Sequence, residues 1–469
     1  MTRYEALAQS VIEMIQQGVL RPGERIPSIR AASRHHGVNP LTVMQAYQLL
    51  ESQGWVLARP QSGYYVRARR GQRLPEPGMS RPVAQSGELD VSDFVFEILE
   101  ASKNPAVVPF GSAFPSPMLF PLDKLARSLA GSTRRLDPWS TVTHLPPGNE
   151  ELRRQIALRY LAAGVTVSPN EIVITSGALE ALTLSLQAVT EPGDLVAIES
   201  PTFYAALQAI ERLRLKAIEI PTHPRDGIDL AALGDALARQ PIKACWLMTN
   251  FQNPTGSLMP DDNKRELVAL LARHAVPLIE DDVYGELYFG APPRHAKADD
   301  HAGLVLHCAS FSKCLAPGYR VGWVAAGRFA QAVQRLKFMT TLTAGIPVQA
   351  ALADYLKHGG YDTHLRRLRR TLATQQAQMS EAIGRLFPPG TRLTQPEGGY
   401  FLWLELPPAV DAVALHRRAL EQGISIAPGP IFSARRDYRN AIRLNCGHPF
   451  TSQHEAALAL LGQWAAEAG

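Results

Sequence analysis

The stretch Ser310-Phe311-Ser312-Lys313-Cys314-Leu315-Ala316-Pro317-Gly318-Tyr319-Arg320-Val321-Gly322-Trp323 sets a lysine just behind a short apolar run, Leu304–His307, with an arginine soon after it. A lysine beside a strand end is unusual, because burial disfavours its charged form. A neutral amine in such a place is a nucleophile suited to imine chemistry. Alone, the lysine reads better as one more solvated surface cation, so its surroundings decide.

Outward from this stretch, the runs EIVIT (171–175), LVAIES (195–200), KAIEI (216–220), ACWLMT (244–249), PLIED (277–281), LVLHCAS (304–310) and VGWVAAG (321–327) are short and apolar, each separated by a helical pattern or loop. The alternation predicts an α/β domain from about residue 90, with a mainly parallel sheet between helices. Chemically useful residues follow several of these runs. Ser176-Gly177-Ala178 comes after EIVIT and opens a helix over 179–187. Tyr204 closes Ser200-Pro201-Thr202-Phe203-Tyr204, Asn253-Pro254-Thr255-Gly256 follows ACWLMT, and Asp281 ends PLIED with Tyr284 three residues on. An open α/β sheet gathers its binding crevice beyond such strand ends. Singly, these are a charged turn, a common turn and a core aromatic.

In this order the set resembles the fold-type I aminotransferases (the aspartate aminotransferase superfamily) from about residue 108 to the end, including Gly398-Gly399-Tyr400-Phe401. The resemblance implies a large subdomain over about 120–340 and a smaller α+β subdomain over about 341–469. It further implies pyridoxal 5′-phosphate (PLP) held covalently on Lys313, with Lys313, Asp281 and Tyr284 carrying the chemistry. A carboxylate at Asp281 would keep the pyridine nitrogen protonated, which makes the ring an electron sink. Tyr284 and Asn253 would donate to the ring oxygen, and Tyr204 would stack on the ring. Ser176 and the Gly177 and Ala178 amides at a helix start would hold the phosphate, helped by Ser310, Ser312 and Arg320. Arg443, in Ala441-Ile442-Arg443-Leu444-Asn445, falls where the family clamps a substrate carboxylate, a task suited to a bidentate guanidinium. One position departs. Five residues before the glycine of Gly148-Asn149-Glu150-Glu151-Leu152-Arg153, where the family places a tyrosine that reaches the partner subunit's cofactor phosphate, stands Thr143. The shorter side chain is expected to weaken transamination more than cofactor binding.

The first 66 residues read differently. Tyr4, Leu7, Ala8, Val11, Ile12 and Ile15 share one helical face, ended by Gly18 and the turn Arg21-Pro22-Gly23. Ser28 is placed to cap a helix from Ile29 to His36 that Gly37 stops. Asn39 caps a third helix with Pro40 in its first turn. There Val43, Ala46, Tyr47 and Leu50 face inward, Thr42 and Gln45 outward. Trp55–Ala58, a turn Arg59–Gly63 and Tyr64–Val66 make a hairpin. The blocks RPGERIPSIRAAS, VNPLTVMQAYQLLESQG and RPQSGYYV resemble the winged helix-turn-helix of the GntR regulator family. That resemblance implies a double-stranded DNA operator as partner, with Thr42 and Gln45 near base edges in the major groove. Ser28, Arg30 and Arg59 would contact phosphates, and Gly63 at the wing tip would approach the minor groove. Pro40 stands where the family usually has a basic residue.

Between the two lies RARRGQRLPEPGMSRPVAQSGEL (67–89), rich in arginine, proline and glycine and without apolar periodicity. It predicts an extended linker, roughly 60–70 Å when stretched. Residues 1–73 hold 10 Lys+Arg against 4 Asp+Glu, a net +6, while the rest of the chain is near neutral. A basic head on a neutral body fits a polyanion partner. A winged helix (1–66), a linker (67–89) and an aminotransferase-like domain (90–469) form the layout of the MocR/GabR-type regulators. This resemblance implies a PLP-binding transcriptional regulator that senses PLP or its adduct with an amine or amino-acid effector, assembled as a head-to-tail homodimer. The alternative is a working aminotransferase in which the DNA-binding module is secondary.

Hydrophobic residues make up 46% and charged ones 19% of the 469, a soluble globular balance. No apolar run is long enough for a membrane span, and the N-terminus lacks a signal-peptide pattern. Cys245, Cys308, Cys314 and Cys446 have neither CxxC pairing nor metal-ligand spacing with histidine. No metal site is expected from spacing, and the cysteines read as buried thiols in a reducing cytoplasm.

Overall fold

The computed structural model describes residues 3–16, 19–20, 24–52, 54–59, 63–66, 74–82, 91–100 and 107–468. The expected stop at Gly18, the turn 21–23, the tip of the hairpin turn (60–62) and linker residues 67–73 and 83–89 lie outside them. The chain forms two compact units, Met1–Arg73 and Leu74–Gly469.

The first unit contains α1 (Arg3–Gln16), α2 (Ile29–His36), α3 (Pro40–Ser52) and the hairpin β1 (Val56–Arg59) with β2 (Gly63–Val66). Ser28 Oγ accepts the Ala31 amide at the start of α2, Gly37 ends it in the left-handed region (φ 61°), and Asn39 Oδ1 accepts the Leu41 amide ahead of α3. Leu7, Ala8, Val11, Ile12, Val43, Ala46, Tyr47 and Leu50 form one core with Val56 and Val66. The Tyr47 hydroxyl donates to the Pro27 carbonyl at 2.8 Å, pinning α3 to the approach of α2.

The second unit opens with an extended stretch that is not a free tether. Over 74–82 the Pro75 carbonyl accepts the Leu393 amide, Ser80 exchanges hydrogen bonds with Thr222, and Glu76 pairs with Arg225. Proline removes its own donor but leaves its carbonyl available to a sheet edge. Composition alone therefore cannot distinguish a docked strap from a tether. There follow α4 (Ser92–Glu100), β3 (Val108–Pro109), α5 (Leu122–Arg134), α6 (Ser140–Thr143) and α7 (Glu150–Ala162).

The main sheet comes next, through β4 (Ile172–Thr175), α8 (Ala178–Val189), β5 (Leu195–Ser200), α9 (Tyr204–Arg212), β6 (Lys216–His223), β7 (Gly227–Ile228), α10 (Leu230–Arg239), β8 (Ile242–Leu247), α11 (Asp261–Arg273), β9 (Leu278–Asp281), β10 (Val305–Ser310) and β11 (Gly322–Ala325). Its order is β4-β11-β10-β9-β8-β5-β6-β7. Strands β10, β9, β8, β5 and β6 are parallel neighbours, while β11 runs antiparallel between β10 and β4. That reversal matters for the site. The C-terminal ends of β4, β5, β8, β9 and β10 share one edge of the sheet with the entry into β11, so Arg320, just before β11, arrives there too.

The chain continues through α12 (Ala330–Thr340), α13 (Ile346–His358), α14 (Tyr361–Leu386), β12 (Arg392–Leu393), β13 (Phe401–Glu405), α15 (Ala412–Glu421), β14 (Ile424–Ser425), β15 (Ala427–Pro428), β16 (Ala441–Asn445) and α16 (Ser452–Glu467). A second sheet, β12-β13-β16-β15, carries α14 and α16. Helix α13 packs on α5 and α7 of the large subdomain, so the small subdomain gathers from α14 rather than from residue 341. It also recruits β3, which pairs in parallel with β14 more than 300 residues away. All four cysteines are buried and free. Among the described residues no helix is long and apolar enough to cross a membrane.

Leu50 is fully buried in the small first unit. Leu50→Ala is expected to cost about 2–5 kcal/mol there. Differential scanning calorimetry should show one transition falling by many degrees while that of the larger unit stays in place.

Candidate functional site

Lys313 lies in the turn after β10 and is half-buried. Its Nζ donates to the Ala113 carbonyl at 2.9 Å and sits 3.7 Å from the centre of the Phe114 ring. Burial, with Arg443 and Arg320 nearby, brings its pKa down to about 7, against the opposing pull of Asp281. A substantial neutral amine fraction at physiological pH follows.

Asp281, the last residue of β9, is 1% exposed, and neither carboxylate oxygen has a well-formed hydrogen bond. Burial, reinforced by the neighbouring Asp282, raises its pKa to about 7; Trp246, the Val283 amide and Lys313 favour the anion without compensating that cost. Leaving a buried carboxyl without a partner costs about 1–3 kcal/mol or more. Natural interiors rarely tolerate this unless a ligand supplies the missing donor.

A second orphan lies close by. Asn253 is fully buried, its Oδ1 accepts from Arg443 Nη1 at 3.1 Å, and its Nδ2 donates to nothing. Tyr284 is packed edge-on to Tyr400 and Phe401, and burial raises its pKa. Tyr204 is buried against Phe203, Phe432 and Arg443, whereas Phe203 is only half-buried.

At the start of α8, Gly177 has φ 102°, a conformation open to glycine. A Cβ there would come within 2.5 Å of Arg320 Nη2. The missing side chain admits the guanidinium over the first amides of the helix. Arg320 itself holds φ 52°, and its Nη1 donates to Ser312 Oγ at 3.2 Å, while Ser310 Oγ faces the Ser312 amide at 3.4 Å. Gly177, Ala178, Ser310, Ser312 and Arg320 thus gather at a helix N-terminus, a place where backbone amides favour an anion. Ser176 does not add its amide. That N–H donates to Glu180 Oε2 at 2.6 Å, a carboxylate also held by Lys337 and Thr341. Only the Ser176 hydroxyl remains for a ligand.

Arg443 is fully buried, not an exposed strand arginine. Its Nη2 donates to the Gly111 and Ser112 carbonyls at 2.6 and 3.2 Å, and its Nε has no partner. The segment Gly111–Phe114 therefore covers both Arg443 and Lys313, and Tyr400 Oη donates to the same Ala113 carbonyl. Sequence reading missed these four residues because they act through backbone carbonyls and have no chemical motif. Thr143 is exposed and its hydroxyl donates to the Trp139 carbonyl of its own turn, so it makes no longer reach.

In the first unit, Arg30 and Gln45 are exposed, whereas Thr42, expected to face outward, is half-buried. Ser28 is exposed, with its oxygen already accepting from Ala31. Arg59 pairs with Gly63 in the hairpin, and its side chain lies outside the described residues. Gly63 begins β2, and Arg25 Nε lies 3.1 Å from where a Cβ on it would stand. Leu41, 57% exposed at the start of α3, was not anticipated; an apolar side chain there can meet a thymine methyl.

The sheet, the half-buried lysine and buried aspartate at its strand ends and the glycine at the start of α8 fit the fold of PLP-dependent aminotransferases, in a chain that begins with a winged helix-turn-helix. Residues 140–460 match the aminotransferase class I and II family and residues 3–66 the bacterial regulatory proteins of the gntR family. The HTH-type transcriptional regulator YdcR of Escherichia coli (strain K12) is 51% identical over 464 residues, 99% of each chain. Among solved structures, the multiple substrate aminotransferase of Thermococcus profundus superposes with a TM-score of 0.75 at 27% identity, over 81% of this chain and 96% of that one. LysN, the alpha-aminoadipate aminotransferase of Thermus thermophilus solved with N-(5′-phosphopyridoxyl)-L-leucine, gives 0.72 at 30% identity, over 80% and 94%. The chain belongs to the aminotransferase class I and II family, in its gntR-headed branch of MocR/GabR-type regulators.

Two outcomes test the site. Gly177→Ala should drive a methyl into the Arg320 guanidinium and weaken PLP binding roughly tenfold or more in a fluorescence titration. Asp281 has a raised folded-state pKa, so its contribution to stability is present below its unfolded value near pH 4 and is lost as pH rises through about 7. Asp281→Asn removes that loss. Freed of cofactor, it should melt above wild type at pH higher than 7 and close to it at low pH, and a constant difference across pH would contradict the assignment.

Proposed function

We propose that the chain is a DNA-binding transcriptional regulator whose larger unit holds PLP on Lys313 and responds to an amine or amino-acid effector. The observation that carries this reading is the pair of buried groups without partners, the Asp281 carboxylate and the Asn253 amide, in the same crevice as a lysine of lowered pKa. A protonated pyridine nitrogen is the donor Asp281 lacks, and the ring oxygen is an acceptor for Asn253 Nδ2 and Tyr284. Arg320, Ser310, Ser312, the Ser176 hydroxyl and the Gly177 and Ala178 amides would hold the phosphate. Phe203 presents the more open ring face for stacking, with Tyr204 buttressing it from behind. When bound, PLP supplies an electrophilic carbon for an incoming amine and an electron sink in its ring.

The chain's own groups then divide the work. Lys313, neutral in good part near pH 7, is both attachment point and proton carrier once an effector amine displaces it. Arg443 would take an effector carboxylate in place of the Gly111 and Ser112 carbonyls. Effector binding and release of the 111–114 segment are then the same event, which gives the unit two states for an effector to choose between. Exposed apolar side chains at Met118, Trp139, Val142, Phe338 and Met339 support a second copy of the chain as partner, in the head-to-tail dimer implied by the family. Two winged helices would then read two half-sites of a duplex, Gln45, Thr42 and Leu41 toward bases and Arg30, Ser28 and Arg59 toward phosphates. A cytoplasmic location follows from that partner. The rival reading, a working aminotransferase with a secondary head, is disfavoured by Thr143, whose hydroxyl is spent within its own turn.

Lys313→Ala should abolish the visible absorption of covalently bound PLP while the fold persists. Selection of an operator by the full-length protein should give salt-sensitive, sequence-specific binding that PLP or an amine alters and that Lys313→Ala no longer alters. Ordinary enzymatic turnover of an amino acid with a keto-acid acceptor, and no specific DNA target, would overturn the reading.

A further inference from the structure

Asp282 follows Asp281, and its carboxylate is set among different side chains. Its Oδ2 lies 2.9 Å from His295 Nδ1 and 3.0 Å from His307 Nε2. One ligand atom from each of the three residues falls within 4.8 Å of the others. We propose that Asp282, His295 and His307 bind a divalent transition ion of the zinc class.

Each feature of the cluster suits an ion better than a plain hydrogen-bonded triad. In such a triad both imidazoles would donate to the carboxylate. His295 Nδ1 is buried and within reach of Oδ2 but makes no well-aligned hydrogen bond to it, and His307 Nε2 donates to Oδ2 only in the tautomer that carries its proton there. The spacing also fits. Ligand atoms about 2.0–2.1 Å from a tetrahedral zinc stand roughly 3.3 Å apart; the two carboxylate–imidazole separations, 2.9 and 3.0 Å, are close to that, and the two imidazole nitrogens lie within 4.8 Å of each other.

The outer partners are those of a built site. The other carboxylate oxygen, Oδ1, accepts from Asn250 Nδ2 at 2.9 Å, and Asn250 Oδ1 accepts from the buried Lys264. Oδ2 is left to face the histidines. His307 Nδ1 lies 2.6 Å from Tyr160 Oη, which also accepts the Trp323 indole N–H at 3.0 Å. A proton on Nδ1 leaves Nε2 with its lone pair for a metal. Two imidazoles and one carboxylate select zinc-class ions over magnesium or calcium, which prefer all-oxygen sets. The three residues line a cavity of about 580 Å³, so three protein ligands leave the fourth position toward open space. Sequence spacing gives no sign of the site: its ligands come from a strand end, a loop and the middle of β10.

The probe is Co²⁺, added to the full-length PLP-loaded protein after chelator treatment and desalting, with bound metal also measured by mass spectrometry. One ion per chain, with visible d–d absorption that Zn²⁺ displaces, is expected. His295→Ala, at the cavity wall, should lower the affinity at least about tenfold, and Tyr160→Phe, which removes the support of His307, by about tenfold. Both should retain the PLP absorption, which separates failure of this site from failure of the cofactor site, while His454→Ala should leave the cobalt spectrum unchanged. No stoichiometric cobalt absorption, or an undiminished one in His295→Ala of unchanged melting temperature, overturns the proposal.

Discussion

Burial of two ionisable groups at neighbouring strand ends is the constraint on which the rest of the larger unit depends. Asp281 is buried and Lys313 half-buried, and each is pushed toward its neutral form, to about 7 from opposite directions. Desolvation of that kind works against folding, since it brings groups into the interior without the partners that would normally accompany them. The α/β sheet tolerates it because these groups stand at strand ends, beside strands such as β4 and β5 whose buried residues are mainly apolar. A site left unsatisfied on the protein's side is what a tightly held ligand exploits, because each orphaned group becomes an interaction that only the ligand completes.

The antiparallel β11 is what assembles the crevice. Had it run with its neighbours, Arg320 would enter at the far edge of the sheet. Reversed, it brings Arg320 beside the start of α8, where Gly177 makes room for it. Gly322 completes this fit: a Cβ there would stand 2.6 Å from the Gly177 carbonyl carbon, so strand and helix start can touch only at glycine. The segment Gly111–Phe114 then closes the opposite side, drawn to the small subdomain by Asn445 Nδ2, which donates to the Ser112 and Phe114 carbonyls. A ligand that displaces it loosens a contact between subdomains, the sort of differential contact an allosteric response needs.

Much of this was legible in the sequence, for physical reasons that also mark the limits. Strands such as EIVIT and LVLHCAS are apolar because both faces are covered, and polar residues stop them where the crevice begins, so Lys313, Asp281, Asn253 and Arg320 could be placed in order. Ser28, Gly37 and Asn39 announced their helix boundaries through capping chemistry that acts within a few residues. What was not legible acts at long range or through the backbone. Ala113 meets Lys313 across 200 positions, and Gly111 meets Arg443 across 332. The Ser176 amide donates to Glu180, one helical turn on, a local contact that no motif announces. Residues 74–82 had the composition of a tether, but the Pro75 carbonyl and the Ser80 amide and hydroxyl found partners on β12 and β6.

The account turns on Asp281 holding a protonated ring nitrogen in the buried crevice. Nitrogen-15 NMR of the full-length protein loaded with ring-labelled PLP reads that proton directly. The account predicts a protonated pyridine nitrogen in the wild type that stays protonated well above the pH at which free PLP loses its ring proton, and an unprotonated one in Asp281→Ala. A ring nitrogen that titrates like free PLP in the wild type, or is the same in both proteins, would contradict it.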